Sequence, residues 1–125
     1  MKRLLLLGFV SIFYNFISYT QYWGANLRSQ FTNEAVDVEL NNQNESYVLG
    51  YISGETAFNS ANLVSSTAGN SDVYVAKYNA SGGLIWKKIF GGNFADRGAD
   101  LAIGPDDNIV ITGQFFGSIA FGSIT

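Results

Sequence analysis

The stretch DVYVAKYNASGGLIWKKIF, residues 72–90, decides how the rest of the chain is read. In its first half Val73 and Val75 share one face of an extended strand, and Tyr74, Ala76 and Tyr78 share the other. Both faces are largely apolar, the pattern of a strand covered on both sides. Asn79-Ala80-Ser81-Gly82-Gly83 reads as a hairpin loop, with glycines able to take positive φ. Residues 84–90 are the return strand. Leu84, Trp86, Lys88 and Phe90 are expected on one side, with Ile85, Lys87 and Ile89 on the other.

The same grammar continues toward the C-terminus. Gly91-Gly92-Asn93 ends the return strand. Residues 99–103 form the next strand, with Ala99, Leu101 and Ile103 expected inward and Asp100 outward. Gly104-Pro105-Asp106-Asp107-Asn108 is a dense turn signal. Residues 109–116 make an apolar strand interrupted by Gly113, which predicts a bulge or a close backbone approach. A short strand over Ile119-Ala120-Phe121 completes the pattern. These are four main strands, each joined to the next by a tight turn, and no helical period appears after residue 20.

Self-similarity organises the chain. A shift of 63 positions places Trp23 on Trp86, Phe31 on Phe94 and Asp37 on Asp100. It also places Gly50 on Gly113, Gly54 on Gly117, Ala57 on Ala120 and Phe58 on Phe121, with no gap. Val36, Val38 and Leu40 fall on Ala99, Leu101 and Ile103. The turn Asn41-Asn42-Gln43-Asn44 falls on Gly104-Pro105-Asp106-Asp107. Most of the identities are residue types that fix turns and cores. The chain therefore divides into residues 1–20, a first repeat over 21–85 and a second over 86–125 that stops before its counterpart of Asp72–Trp86. The expectation is a fragment of a longer array, with further blades of the same chain.

A sheet of about four antiparallel strands, repeated along the chain and apolar on both faces, describes a propeller blade. The fold expected is all-β, an incomplete β-propeller of roughly one and a half blades. A β-solenoid would use shorter rungs, and a two-sheet sandwich would need no sequence repeat.

Residues 72–122 resemble the bacterial β-propeller repeat called SBBP. The resemblance is carried by Asp72–Trp86, by an aromatic followed by Gly-Gly at Phe90-Gly91-Gly92, and by Ala99-Asp-Leu-Ala-Ile103. Asp107-Asn-Ile-Val-Ile-Thr-Gly-Gln-Phe115 and Ile119-Ala-Phe-Gly122 complete the unit. Residues 23–71 resemble a more degenerate unit, in which Arg28-Ser29 stands where Gly-Gly is expected. The resemblance implies repeats arranged as a propeller in exported or surface proteins, often beside adhesion-like modules. It implies no catalytic activity and no fixed ligand.

Met1-Lys2-Arg3, the apolar run from Leu4 to Ile17 and the small residues Ser18 and Thr20 form the three-part pattern of a secretory signal peptide cleaved before Gln21. The run is shorter than the roughly 20 residues a membrane span needs, so no stable span is expected once the leader is removed. The location expected is secreted or cell-surface. The net charge of −3 becomes −5 without Lys2 and Arg3, and the charges are scattered, which argues against a nucleic-acid partner. With no histidine and no cysteine, the chain lacks the usual zinc ligands, disulfides, thiol nucleophiles and Ser-His-Asp arrangements. No cofactor is expected.

Three groups are candidate sites. Asp106-Asp107-Asn108 offers far fewer oxygens than the six to eight that Ca²⁺ takes, and reads as a turn bonding to its own backbone. Asp96 and Asp100, flanking Arg97, could form a hydrolytic carboxylate pair. The recurrence of Asp100 as Asp37 favours instead a structural role repeated in each unit. Trp23 and Trp86 could stack on sugars, but inward aromatics on strands are more often core. No catalytic or metal-binding residue is therefore assigned. The function expected is a non-catalytic scaffold that binds a protein or glycan ligand. The alternatives are the front part of an exported polysaccharide hydrolase or lyase, and a structural spacer in a larger surface protein.

Overall fold

The computed structural model describes residues 27–29, 31–58, 61–65 and 70–119. The leader and its cleavage point, Trp23, Ala120 and Phe121 lie outside the described residues. Among those described there is no helix, and therefore none long and apolar enough to cross a membrane. The strands are β1 (Leu27–Ser29), β2 (Asn33–Leu40), β3 (Ser46–Ser53), β4 (Glu55–Phe58), β5 (Ala61–Ser65), β6 (Ser71–Tyr78), β7 (Leu84–Phe90), β8 (Arg97–Ile103) and β9 (Ile109–Gln114).

They form three antiparallel sheets. The largest has the order β2-β3-β6-β7. Between β3 and β6 the chain leaves to make the β4–β5 hairpin, which pairs with β1 in a sheet of order β1-β4-β5. β8 and β9 form a hairpin of their own. The sheet boundaries do not coincide with the repeat boundaries read from the sequence. β6 and β7 do not share a sheet with β8 and β9, and the sheet spanning residues 33–90 crosses the division at 85/86. The β4–β5 hairpin has no forecast in the apolar pattern, and Ile119 lies outside any strand.

The strand register sorts the large sheet into two faces. Tyr47, Lys77 and Trp86 stand in one cross-strand row, and Leu49, Val75 and Lys88 in the next. On this first face Tyr47, Leu49, Val73, Val75 and Phe90 are buried together with Leu101 of β8. Ile103, Ile109, Ile111, Phe115 and Ile119 pack against them, so the β8–β9 hairpin lies on this face. Trp86 joins the cluster and meets Tyr47 edge-on, ring centroids 5.9 Å apart, a core aromatic as its strand position implied. The second face carries Ile52, Tyr74, Ala76 and Tyr78, flanked by Val48, Leu84 and Ile89. The two-sided alternation read over residues 73–78 therefore matches the two clusters.

Bulges break the simple alternation at two of the expected positions. Tyr78 pairs with Leu84 while Lys77 pairs with Trp86, which leaves Ile85 extra. Leu84 consequently packs on the second face, opposite Trp86, and not beside it as the unbroken alternation predicts. In β8 the register shifts between Gly98 and Asp100, so Ala99 is the extra residue and is exposed rather than inward. Leu101 is buried and Ile103 half-buried, as expected. Gly113 is the close approach and not the bulge. A Cβ there would strike the carbonyl oxygen of Arg97 on β8. β9 ends at Gln114, two residues short of the expected strand. Phe31 and Phe94 are exposed, so this matched pair is not core.

The β2–β3 and β8–β9 hairpins carry the same irregularities 63 positions apart. Val36 is the extra residue in β2, as Ala99 is in β8. A Cβ on Gly50 would strike the Glu34 carbonyl, as one on Gly113 would strike that of Arg97. Asn44 and Asp107 have φ of 58° and 59°, and Gly54 and Gly117 have 78° and 71°. In each turn the first residue's amide donates to the fifth residue's carbonyl: Asn41 to Glu45 at 3.0 Å, and Gly104 to Asn108 at 2.7 Å.

Stacking is front to back. Leu101, Ile103 and Ile111, which face the large sheet, are the counterparts of Val38, Leu40 and Val48. Val38 pairs with Val48 across β2 and β3, and Val48 packs with the second-face cluster. The second face of one hairpin therefore rests on the first face of the sheet before it.

Candidate functional site

Two groups of polar side chains sit where the sheet and the β8–β9 hairpin meet. The first is at the turn tips. Asn41 is buried, and its Oδ1 accepts the amides of Gln43 at 3.0 Å and Glu45 at 2.9 Å, which closes the turn. Its Nδ2 donates to Glu45 Oε2 at 2.8 Å and to Asp107 Oδ2 at 3.0 Å. Asn41 thus bolts the β2–β3 turn to the β8–β9 turn. Lys77 reaches the same point from β6. Its Nζ lies 2.6 Å from Glu45 Oε2, 3.6 Å from Asp107 Oδ2 and 4.9 Å from the centre of the Tyr47 ring. The hydrogen bond to Glu45 raises the Lys77 pKa, and the same contact holds the Glu45 carboxyl below its ordinary value.

Beside this cluster is an open cleft of about 360 Å³. Leu40, Asn41 and Asn42 from one turn form one wall, and Ile103, Gly104, Pro105 and Asp107 from the next form the other. Its lining is part amide and carboxylate, part apolar. The Asp107 carboxylate does not bond its own turn as the sequence reading had it. It spans to Asn41 and Lys77 in the neighbouring sheet. Among the described residues no group of three or more carboxylates gathers to hold a metal ion.

The second group is the junction of β2 and β8. Asp37 Oδ2 accepts the amide of Leu101 at 2.8 Å, and Oδ1 accepts the amide of Val38 at 2.8 Å. The Leu101 amide is the leading cause that lowers the Asp37 pKa. Asp37 is therefore a joint between β2 and β8.

Asp96 and Asp100 do not face each other as a catalytic pair would. Asp96 is fully buried, accepting Phe116 N on Oδ1 at 2.9 Å and Gly92 N on Oδ2 at 3.1 Å. Its own amide donates to Ser71 O, and Ser71 Oγ donates back to the Asp96 carbonyl at 3.0 Å. It staples the β7–β8 connection to β6 and to the end of β9. Asp100 is exposed. At the other end of the sheet Tyr51 bonds Glu34, and the Arg97 guanidinium lies 5.3 Å from the centre of the Tyr51 ring. A smaller cleft of about 210 Å³ opens there, with Thr32, Asn70 and Ala95 among its walls.

Asn41, Glu45 and Lys77 were not singled out by sequence. An asparagine opening each of two hairpin loops, at 41 and 79, is the signal that would have found the first. Lys77 shows no signal, because only the fold brings β6 beneath two turns. Comparison with protein-family models, curated proteins and solved structures returns no match.

Proposed function

We propose that this chain is part of an exported, repeat-built β-propeller scaffold of the SBBP kind, and that it binds a protein or glycan through its turn surface without catalysis. The single observation that carries the reading is the front-to-back stacking of β8–β9 on the first face of the large sheet, with matching bulges, turns and glycine contacts 63 positions apart. Units stacked this way continue in one sense and close into a ring where the rotation allows. Export rests on the leader pattern over residues 1–20. The turn tips, with Asn41 and Asp107 lining an open cleft between successive units, are the surface offered to a ligand. Catalysis finds little support: Asp96, a fully buried carboxylate, is engaged by two backbone amides.

The test is to recover the exported protein and probe it on a glycan array and a set of extracellular-matrix proteins, while assaying the bound polysaccharides for cleavage. Saturable binding that Asn42→Ala or Pro105→Ala weakens, with no new reducing ends, is the expected result. Release of reducing ends would overturn the non-catalytic reading. A mature chain that still begins at Met1 would overturn export with cleavage.

A further inference from the structure

The outer side of the β8–β9 hairpin is bare. Ala102 pairs with Val110 and Asp100 with Thr112 on that side, and Val110 is 63 % exposed. Sixty-three positions earlier stand Glu39 paired with Tyr47 and Asp37 paired with Leu49, and that face is the one β8–β9 covers. At the opposite end of the stack Val38 and Leu40 of β2 are 59 % and 63 % exposed. Their counterparts Leu101 and Ile103 are the residues that do the covering. One molecule thus carries both halves of a contact that it already makes once internally.

We propose that the bare side of β8–β9 docks the β2–β3 second face of another copy of this chain. Val38, Leu40 and Val48 of the second copy lie over Ala102, Val110 and Thr112 of the first. Asp100 of the first copy accepts the Val38 amide of the second, as Asp37 accepts the Leu101 amide within one chain. In an isolated copy the Val38 amide turns to its own Asp37. The contact is heterologous, using different patches on the two partners. It needs neither export nor a ligand, but it uses the face on which the scaffold reading stacks the next unit of the same chain, so it concerns the 125-residue chain itself.

Heterology gives a decisive experiment. The 125-residue chain is compared by sedimentation velocity with Val110→Asp, with Val38→Asp and with an equimolar mixture of the two. Both positions are exposed, so circular dichroism should show the same β-sheet signal in all samples. The expected result is concentration-dependent assembly of the unsubstituted chain, monomers for each variant alone, and a heterodimer for the mixture, since each variant keeps the patch the other has lost. Asp100→Asn should weaken assembly roughly tenfold by replacing a charged acceptor with a neutral one. A monomeric unsubstituted chain would overturn the proposal. So would association that survives both substitutions, as the apolar leader would produce, or a mixture that stays monomeric. Binding and cleavage on the glycan array are unaffected by these outcomes.

Discussion

Gly50 and Gly113 sit beside the bulges of the two hairpins. At each, a β-carbon would meet a backbone oxygen on the partner strand, and backbone cannot swing aside as a side chain can. Gly50→Ala is expected to destabilise the large sheet by about 1–3 kcal/mol, the range for overpacking, seen as a lower melting temperature. Gly113→Ala should leave that sheet intact and loosen β8–β9, seen as new protease cleavage confined to residues 97–114. Equal effects at both sites would contradict the separation of the sheets. Asp96→Ala withdraws the acceptor from the amides of Gly92 and Phe116, at about 1–3 kcal/mol for each buried amide left unmatched. Asp96→Asn keeps one acceptor oxygen and should lose less. Gly113 was legible as an interruption in an apolar run. Asp96 was legible only as half of a candidate carboxylate pair, because nothing local shows that the Phe116 amide, 20 positions on, is brought to it.

Three hairpin loops share one geometry. The loops at 41–45, 79–83 and 104–108 each close with a first-to-fifth amide–carbonyl bond and a fourth-to-first bond. Each has its fourth residue at positive φ: Asn44, Gly82 and Asp107. This is the three-residue hairpin loop with a left-handed last position, which suits the twist of the flanking strands. Asn79 Oδ1 accepts the amides of Ser81 and Gly83, as Asn41 does in its own loop. Asn44→Gly should raise stability by up to about 1 kcal/mol, because glycine takes the left-handed region without a β-carbon penalty. Asp107→Gly gains the same relief but loses the links to Asn41 and Lys77, so its melting temperature should fall short of that of Asn44→Gly. Loop positions could be read from sequence because Gly-Gly and Pro-Asp-Asp-Asn are punctuation with a mechanism. The bulges at Val36, Ile85 and Ala99 could not, because an extra apolar residue leaves no mark in an apolar run. One missed bulge moved Leu84 to the other face, and another moved Ala99 into solvent.

At the scale of the whole molecule, repeat and sheet are out of phase. Matching letters set a period from 23 to 85, whereas hydrogen bonding sets a sheet from 33 to 90. Sequence identity reports what recurs, and only strand pairing reports which strands are neighbours. The same limit hid the joint: the recurrence of Asp37 and Asp100 was visible, but that Asp37 grips the following unit was not. The joint makes the stack sensitive to acid. Asp37 has its pKa lowered chiefly by the Leu101 amide, so it binds its proton more weakly folded than unfolded. Its contribution is fully present above the unfolded carboxylate value of about 4 and is lost as pH falls through the lower folded value. Glu45, lowered by Lys77, acts in the same window and the same direction. The raised Lys77 pKa contributes below about 10.4 and is lost only as pH climbs beyond it, so alkali up to that point should leave the joint alone. Trp86 reports the event, because it packs in the cluster that β8–β9 covers. With Trp23→Phe making Trp86 the sole tryptophan, its emission should shift to the red as pH falls below about 4, before the far-ultraviolet dichroism of the large sheet is lost. In the Asp37→Asn variant the stack should be weaker at neutral pH and its acid transition shallower. An unchanged transition in that variant would mean that the Asp37 carboxylate does not hold the two units together.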